Sequence, residues 1–154
     1  MNDDYQIMPA GLGDLQALRV LEKECFQLDA WPLIDLLVVL TFPHYTRFKA
    51  TLNGEMVGFA AAEMNAEKNI GWIITIGVSP VHRRRGLARR LLHDCEAKLK
   101  VPWMRLSVRK SNWSALRLYD EEGFIHIDTW KQYYVDGEDA FILEKKIQRA
   151  GSAS

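Results

Sequence analysis

"GWIITIGVSPVHRRRGLARRLL", residues 71–92, changes character at Pro80. Before it runs a nearly continuous apolar, β-branched stretch, which predicts a central strand buried on both faces. After it come Arg83, Arg84, Arg85, Arg89 and Arg90 around the single glycine Gly86. Leu87, Leu91, Cys95 and Leu99 then recur at helical spacing, predicting a helix that begins around Arg84 to Gly86. The first N–H groups of such a helix have no intrahelical partner and point outward, which makes an anion site. Gly86 lets a ligand approach the backbone, and Ala88 keeps the following turn small. The neighbouring arginines add forked donors suited to phosphate oxygens. The segment reads as a cradle for a pyrophosphate. It is not a P-loop, because G-x-x-x-x-G-K-[ST] is absent, and one glycine does not make a dinucleotide fingerprint.

The rest of the chain limits what else the arginines can do. Lys and Arg total 20 and Asp and Glu total 20, so the field that grips a long polyanion is missing and no specific nucleic-acid partner is expected. At 154 residues the chain predicts one domain over residues 1–147, with 148–154, ending in "RAGSAS", as a disordered tail. Cys25 and Cys95 are isolated, which argues against a disulfide scaffold or a metal site and suits a reducing compartment. "MNDDYQIMPAG" lacks the pattern of a secretory signal, and "WPLIDLLVVL" is too short to span a membrane and contains Asp35. A cytoplasmic protein without membrane partners, monomer or homodimer, is expected.

Coarse periodicity predicts helices from Asp14 to Phe26 and from Trp31, with Pro32 in the first turn of the second. "TRFKATL" and "EMVGFAAAEM" read as a hairpin through Asn53-Gly54. After the arginine-rich turn, "WMRLSV" is a strand and "NWSALRLYDEEG" a helix closed at Gly123. Two last strands, Phe124 to Tyr134 and Ala140 to Lys145, flank Asp136-Gly137. The order α-α-β-β-β-α-β-α-β-β predicts an α/β (α+β) domain around one mixed, mainly antiparallel sheet. In the later helix Asn112, Ala115 and Tyr119 share a face, with Asn112 also placed to cap and Tyr119 to pack.

These segments resemble the GNAT acetyltransferase superfamily. Its acyl-CoA motif, Arg/Gln-x-x-Gly-x-Gly/Ala, is matched by Arg83, Gly86 and Ala88, after a strand whose Ile76, Val78 and Pro80 fit the family pattern. Arg84 stands where many members carry a further glycine. Asn112, Ala115, Leu118, Tyr119, Gly123 and Phe124 match a second family motif. The resemblance covers roughly residues 5–145 and implies the GNAT fold and acetyl-CoA as cosubstrate, without a metal. It implies cofactor contacts from Ile76, Gly77, Val78, Arg83, Arg84, Arg85, Gly86, Leu87, Ala88, Arg89, Asn112 and Tyr119. Asn112 would hydrogen-bond the cofactor arm, and Tyr119 would be the general acid that protonates the departing thiolate. "VRKSN" and "YYVDGEDAFIL" are similar to the N-terminal α-amine branch, including the ribosomal-protein-alanine type, with Tyr133 and Tyr134 closing over the acceptor peptide. Asp136, Glu138 and Asp139 read, as charges alone, as a solvated turn.

The family's general bases are absent. Ser107 stands five positions before Asn112, where a glutamate or histidine is usual, and Trp72 falls near the position of a family tyrosine. Glu63 is the remaining base candidate, acting through water; Glu22 and Glu24 fit an exposed, charged helix face. A peptide α-amine of pKa about 7.7–8.0 is already about 10–20% neutral at pH 7, whereas a lysine near 10.4 is neutral in about 0.04% of molecules. Missing a base therefore costs little for an α-amine and about 4–5 kcal/mol for a lysine. The expected reaction is direct attack of an N-terminal amine on the thioester, with the backbone N–H near Val78 facing the oxyanion and Gly77 permitting a bulge that turns this amide inward. Two alternatives stay open: a small-amine acetyltransferase acting on a polyamine, amino acid or aminoglycoside, and a non-catalytic acetyl-CoA-binding module.

Overall fold

The hand-over at Pro80 forms as the sequence indicates. A computed structural model describes residues 4–147, so the tail expected at 148–154 lies outside the described residues. The elements are β1 (Gln6–Pro9), α1 (Leu15–Phe26), α2 (Leu33–Thr41), β2 (Tyr45–Leu52), β3 (Glu55–Asn65), β4 (Ile70–Val78), α3 (Leu87–Lys98), β5 (Trp103–Arg109), α4 (Trp113–Glu121), β6 (Ile125–Trp130) and β7 (Ala140–Lys146). The strands hydrogen-bond in the order β1-β2-β3-β4-β5-β7-β6. β4 and β5 run parallel, whereas the pairs β1–β2, β2–β3, β5–β7 and β6–β7 are antiparallel. The expected mixed, mainly antiparallel sheet is therefore present.

The described residues group into two compact units, one running to Glu63 and resuming over Ile74–Leu99, the other formed by Met64–Ile73 and the chain from Lys100 onward. In the first, Leu18 and Leu21 of α1 and Leu36, Val39 and Leu40 of α2 pack with Phe59 and Ala61 of β3. The alternate residue Gly58 faces α3, where an added Cβ would lie 3.2 Å from Leu91 Cδ1. Asn53 (φ 52°) and Gly54 (φ 80°) make the left-handed pair that a tight hairpin requires. In the second unit Met104, Leu106, Val108, Ile142 and Leu143 form the buried rows of β5 and β7. α4 closes through the Phe124 N–H, which donates to the Tyr119 carbonyl at 3.0 Å.

Four expectations change. The short edge strand β1 is added; its Pro9 and lack of alternation hide it in the sequence, and Pro is tolerated there because the strand lies at an edge. β6 ends at Trp130, so Tyr133 and Tyr134 lie on the loop before β7. α2 starts at Leu33, with Pro32 as its cap residue. The strand buried along its length is β3, over Val57–Ala62, whereas β4 is half-exposed from Ile74 to Gly77.

Gly77 also has a packing role that its strand alone does not reveal. A Cβ there would fall 3.0 Å from Phe26 Cζ and 3.3 Å from Cys25 Sγ, so the glycine admits the end of α1 against β4. At Gly86 a Cβ would meet nothing within 4 Å, and the constraint is backbone alone, φ +77°. Gly77→Ala is therefore expected to destabilise by about 1–3 kcal/mol through overpacking. Gly86→Ala is expected to cost about 1 kcal/mol through left-handed strain. Urea unfolding with Phe26→Leu as second substitution separates them: it should restore the Gly77 variant and leave the Gly86 variant unchanged.

Candidate active site

The loop from Ser79 to Gly86 is fixed by its own bonds. The Ser79 N–H donates to the Val57 carbonyl at 2.8 Å, and the His82 N–H to the Ser79 carbonyl at 2.9 Å. Tyr5 Oη lies 2.9 Å from His82 Nδ1, pinning the turn from β1's side of the sequence. Arg83 Nε donates to the Val78 carbonyl at 2.9 Å. The first motif arginine thus ties the loop to the strand end, in addition to any ligand it contacts. Arg84 (φ 64°) and Gly86 (φ 77°) are both left-handed. That explains the glycine usual at the Arg84 position: the backbone asks for one, and arginine there bears the strain. The cap residue of α3 is the exposed Gly86, which has no side chain to satisfy the first amides of the helix. Leu87 is buried as the first apolar anchor, while Ala88 and Arg89 are half-buried. These observations fit an anionic ligand seated on backbone N–H groups, with arginines around it.

In the other unit, Asn112 caps α4, its Oδ1 accepting from the Ala115 N–H at 3.3 Å. Tyr119 is buried against Phe124, their rings 5.5 Å apart and edge-on. Burial, and secondarily the nearby Tyr134, push the Tyr119 phenol far above its ordinary value, so it keeps its proton throughout the neutral range.

The acidic loop is not merely solvated. Arg109 Nη1 donates to Asp136 Oδ1 and Oδ2 at 3.0 Å each and to Glu138 Oε1 at 2.7 Å. Its guanidinium carbon lies 4.2 Å over the Tyr134 ring. Glu138 Oε2 accepts from the Ser111 N–H at 2.7 Å, and Asp139 Oδ1 from the Gln132 N–H at 3.0 Å. Hydrogen bonds lower all three carboxyls: from the Glu138 N–H and Arg109 for Asp136, from Ser111 and Arg109 for Glu138, and from the Gln132 N–H for Asp139. "VRKSN" and "YYVDGEDA" are two sides of one lock, with Arg109 at its centre. Neither segment alone reveals this, because the bonds cross 27 to 29 residues of sequence. An aromatic series continues from it: Tyr134 to Tyr133 (5.0 Å), Tyr133 to Trp130 (5.3 Å) and Trp130 to Trp72 (6.0 Å, stacked).

Trp72 is thus an aromatic stacking partner, and Ser107 pairs with Ile142 in the β5–β7 ladder. Glu63, at the end of β3 opposite Tyr45, has its Oε1 3.7 Å from His44 Nε2. The exposed-face account of Glu22 is overturned: that side chain is buried, and its Oε1 accepts from Thr75 Oγ1 at 2.9 Å. Glu24 accepts a short hydrogen bond from the buried Ser79 hydroxyl.

The fold and the phosphate-type loop define an acyl-CoA acetyltransferase class. The Acetyltransferase (GNAT) family matches residues 15–124, and the chain belongs to that family. It is accordingly an acetyl-CoA-dependent N-acetyltransferase, and within the family its likeness is to the N-terminal acetyltransferase branch. The catalytic subunit NAA10 of the N-terminal acetyltransferase A complex of Arabidopsis thaliana is 31% identical over 92% of this chain and 78% of its own length. The ribosomal protein bS18-alanine N-acetyltransferase of Escherichia coli is 35% identical over 67% of this chain and 72% of its own. The crystal structure of the ribosomal-protein-S18-alanine N-acetyltransferase from Escherichia coli superposes with a TM-score of 0.86 at 29% identity, covering 98% of this chain and 99% of that one.

Arg109→Met is expected to release the lock. Hydrogen exchange should rise over residues 131–139 and stay unchanged over 74–99. Because the three carboxyls are lowered in the folded chain, their contribution is present above the ordinary carboxyl range of about 3.9–4.3 and disappears as pH falls through their lower folded values. The loop should therefore remain protected from pH 8 down to pH 5 and lose protection only in more acidic solution.

Proposed function

We propose that this enzyme acetylates the α-amine of protein or peptide N-termini, in the cytoplasm. What supports the acceptor most is the pair of side chains at positions 72 and 107. Trp72 and Ser107 offer no proton acceptor, a condition that an amine of pKa near 8 tolerates and a lysine does not. The likeness to enzymes named for N-terminal acetylation points the same way. The two cysteines, both unbridged, suit a reducing compartment.

In this account the diphosphate of acetyl-CoA rests on the first amides of α3 behind Gly86, with Arg84, Arg85 and Arg89 beside it and Arg83 holding the loop. Half-exposed Ile76 and Gly77, with buried Val78 after them, supply the strand end along the cofactor arm. Asn112, whose Oδ1 caps α4, offers its amide N–H groups to that arm. Tyr133 and Tyr134 bind the acceptor peptide. The neutral amine attacks the thioester carbon, so that the N–C bond forms and the C–S bond breaks. The Val78 N–H faces the carbonyl oxygen as charge grows there. The ammonium proton leaves through water to Glu63, and Tyr119 delivers its proton to the departing sulfur. Raising the phenol makes that delivery more uphill against a thiol of about 8.5, so Tyr119 acts by placement in a dry site more than by acidity.

Two measurements test this. Incubation with labelled acetyl-CoA should label peptides with a free N-terminus, and should spare polyamines and the lysines of N-terminally blocked peptides. Label on polyamines alone would favour the small-amine alternative, and cofactor binding without any transfer would favour a binding module. Tyr119→Phe should lower kcat by about 10²-fold or more with CoA affinity nearly unchanged. Since the Tyr119 phenol is raised, kcat of the parent enzyme should show no limb from it below pH 10.

A further inference from the structure

The end of β4 is held from α1 at two places. Glu22 Oε1 accepts from Thr75 Oγ1 at 2.9 Å, and Glu24 accepts from Ser79 Oγ. Between these hydroxyls lies Gly77, where an added Cβ would come within 3.0 Å of Phe26 Cζ. Glu22 is 2% exposed, and its second oxygen, Oε2, is buried without a hydrogen bond. Burial raises its carboxyl, opposed by the Thr75 bond and by the backbone N–H of Trp31 at the approach to α2. A half-satisfied carboxyl in a core is unfavourable, and an apolar side chain of similar volume would avoid that cost. What an apolar side chain cannot supply is direction: a hydrogen bond fixes the Thr75 hydroxyl, and hence the strand, to within a few tenths of an ångström of one place on α1.

We infer that Glu22 is a positioning residue, which through Thr75 sets the backbone of β4 so that the Val78 N–H meets the thioester carbonyl oxygen, with Glu24 and Ser79 holding the far side of Gly77. Glu22 touches no reacting atom. The inference rests on the role of Val78 proposed above. It assigns the rigidity of the oxyanion contact to a helix that carries none of the family's motif residues.

The test is difference infrared spectroscopy of acetyl-CoA labelled with ¹³C at the thioester carbonyl. Bound to the parent enzyme, the carbonyl stretch should move to lower wavenumber than in free acetyl-CoA. Thr75→Val, which keeps the volume and removes the hydroxyl, should lose most of that displacement and about tenfold or more in kcat, while acetyl-CoA affinity changes less than twofold. Thr75→Ser, which restores the donor, should recover both. Should Thr75→Val not fold, Thr75→Cys keeps the size and weakens the donor, and it should lose part of the displacement. A folded Thr75→Val or Thr75→Cys enzyme with the full displacement and parental kcat would overturn the inference. An undisplaced carbonyl in the parent enzyme would instead overturn the oxyanion role of Val78, and the inference with it.

Discussion

A helix that starts directly behind a strand presents amide hydrogens that its own backbone cannot satisfy, and this constraint governs the chain. At α3 the cap residue, Gly86, has no side chain to take up those groups. Two left-handed residues, Arg84 and Gly86, bend the approach, and Arg83 closes it onto the Val78 carbonyl. The loop is consequently an ordered product of the first unit before any ligand arrives. In the seat we propose for the diphosphate the arginines contribute charge and the main chain contributes direction, so a chain with no net charge can hold a strongly anionic cosubstrate.

Much of this is legible in the sequence because local signals agree. The β-branched run, Pro80, the arginines, Gly86 and the leucine stripe of α3 all point to one junction, and Asn53-Gly54 specifies its hairpin. What escapes are features whose partners are distant. Glu22 lies on a helix face that pattern alone assigns to solvent, and only Thr75, 53 residues away, shows that it is buried. Arg109 appears in the sequence as one more surface charge, and its carboxylate partners define its role. Gly77 shows no packing role when only its strand is considered, and Phe26 and Cys25 on a distant helix supply one. β4 reads as buried because its residues are apolar, yet apolar composition does not distinguish a core strand from one half-exposed over Ile74–Gly77.

Trp72 and Ser107, neither of which offers a proton acceptor, both have structural partners. Trp72 joins an aromatic series with Trp130, Tyr133 and Tyr134, and Ser107 sits within the β5–β7 ladder. Both positions have become structural around the loop that Arg109 locks. An acceptor amine that is partly neutral at physiological pH tolerates such a site, and Glu63, 3.7 Å from His44, is the carboxylate we propose for the proton that is lost. Acceptor pKa and site composition are thus consistent with each other.

We place the diphosphate of acetyl-CoA on the amides at the start of α3. Titration of ¹⁵N-labelled protein with CoA, and separately with pantetheine, which lacks the diphosphate, tests it most directly by NMR. The account predicts large amide shifts at Gly86, Leu87, Ala88 and Arg89 with CoA and none there with pantetheine. Equal shifts with both ligands, or CoA shifts that leave these four amides in place, would contradict it.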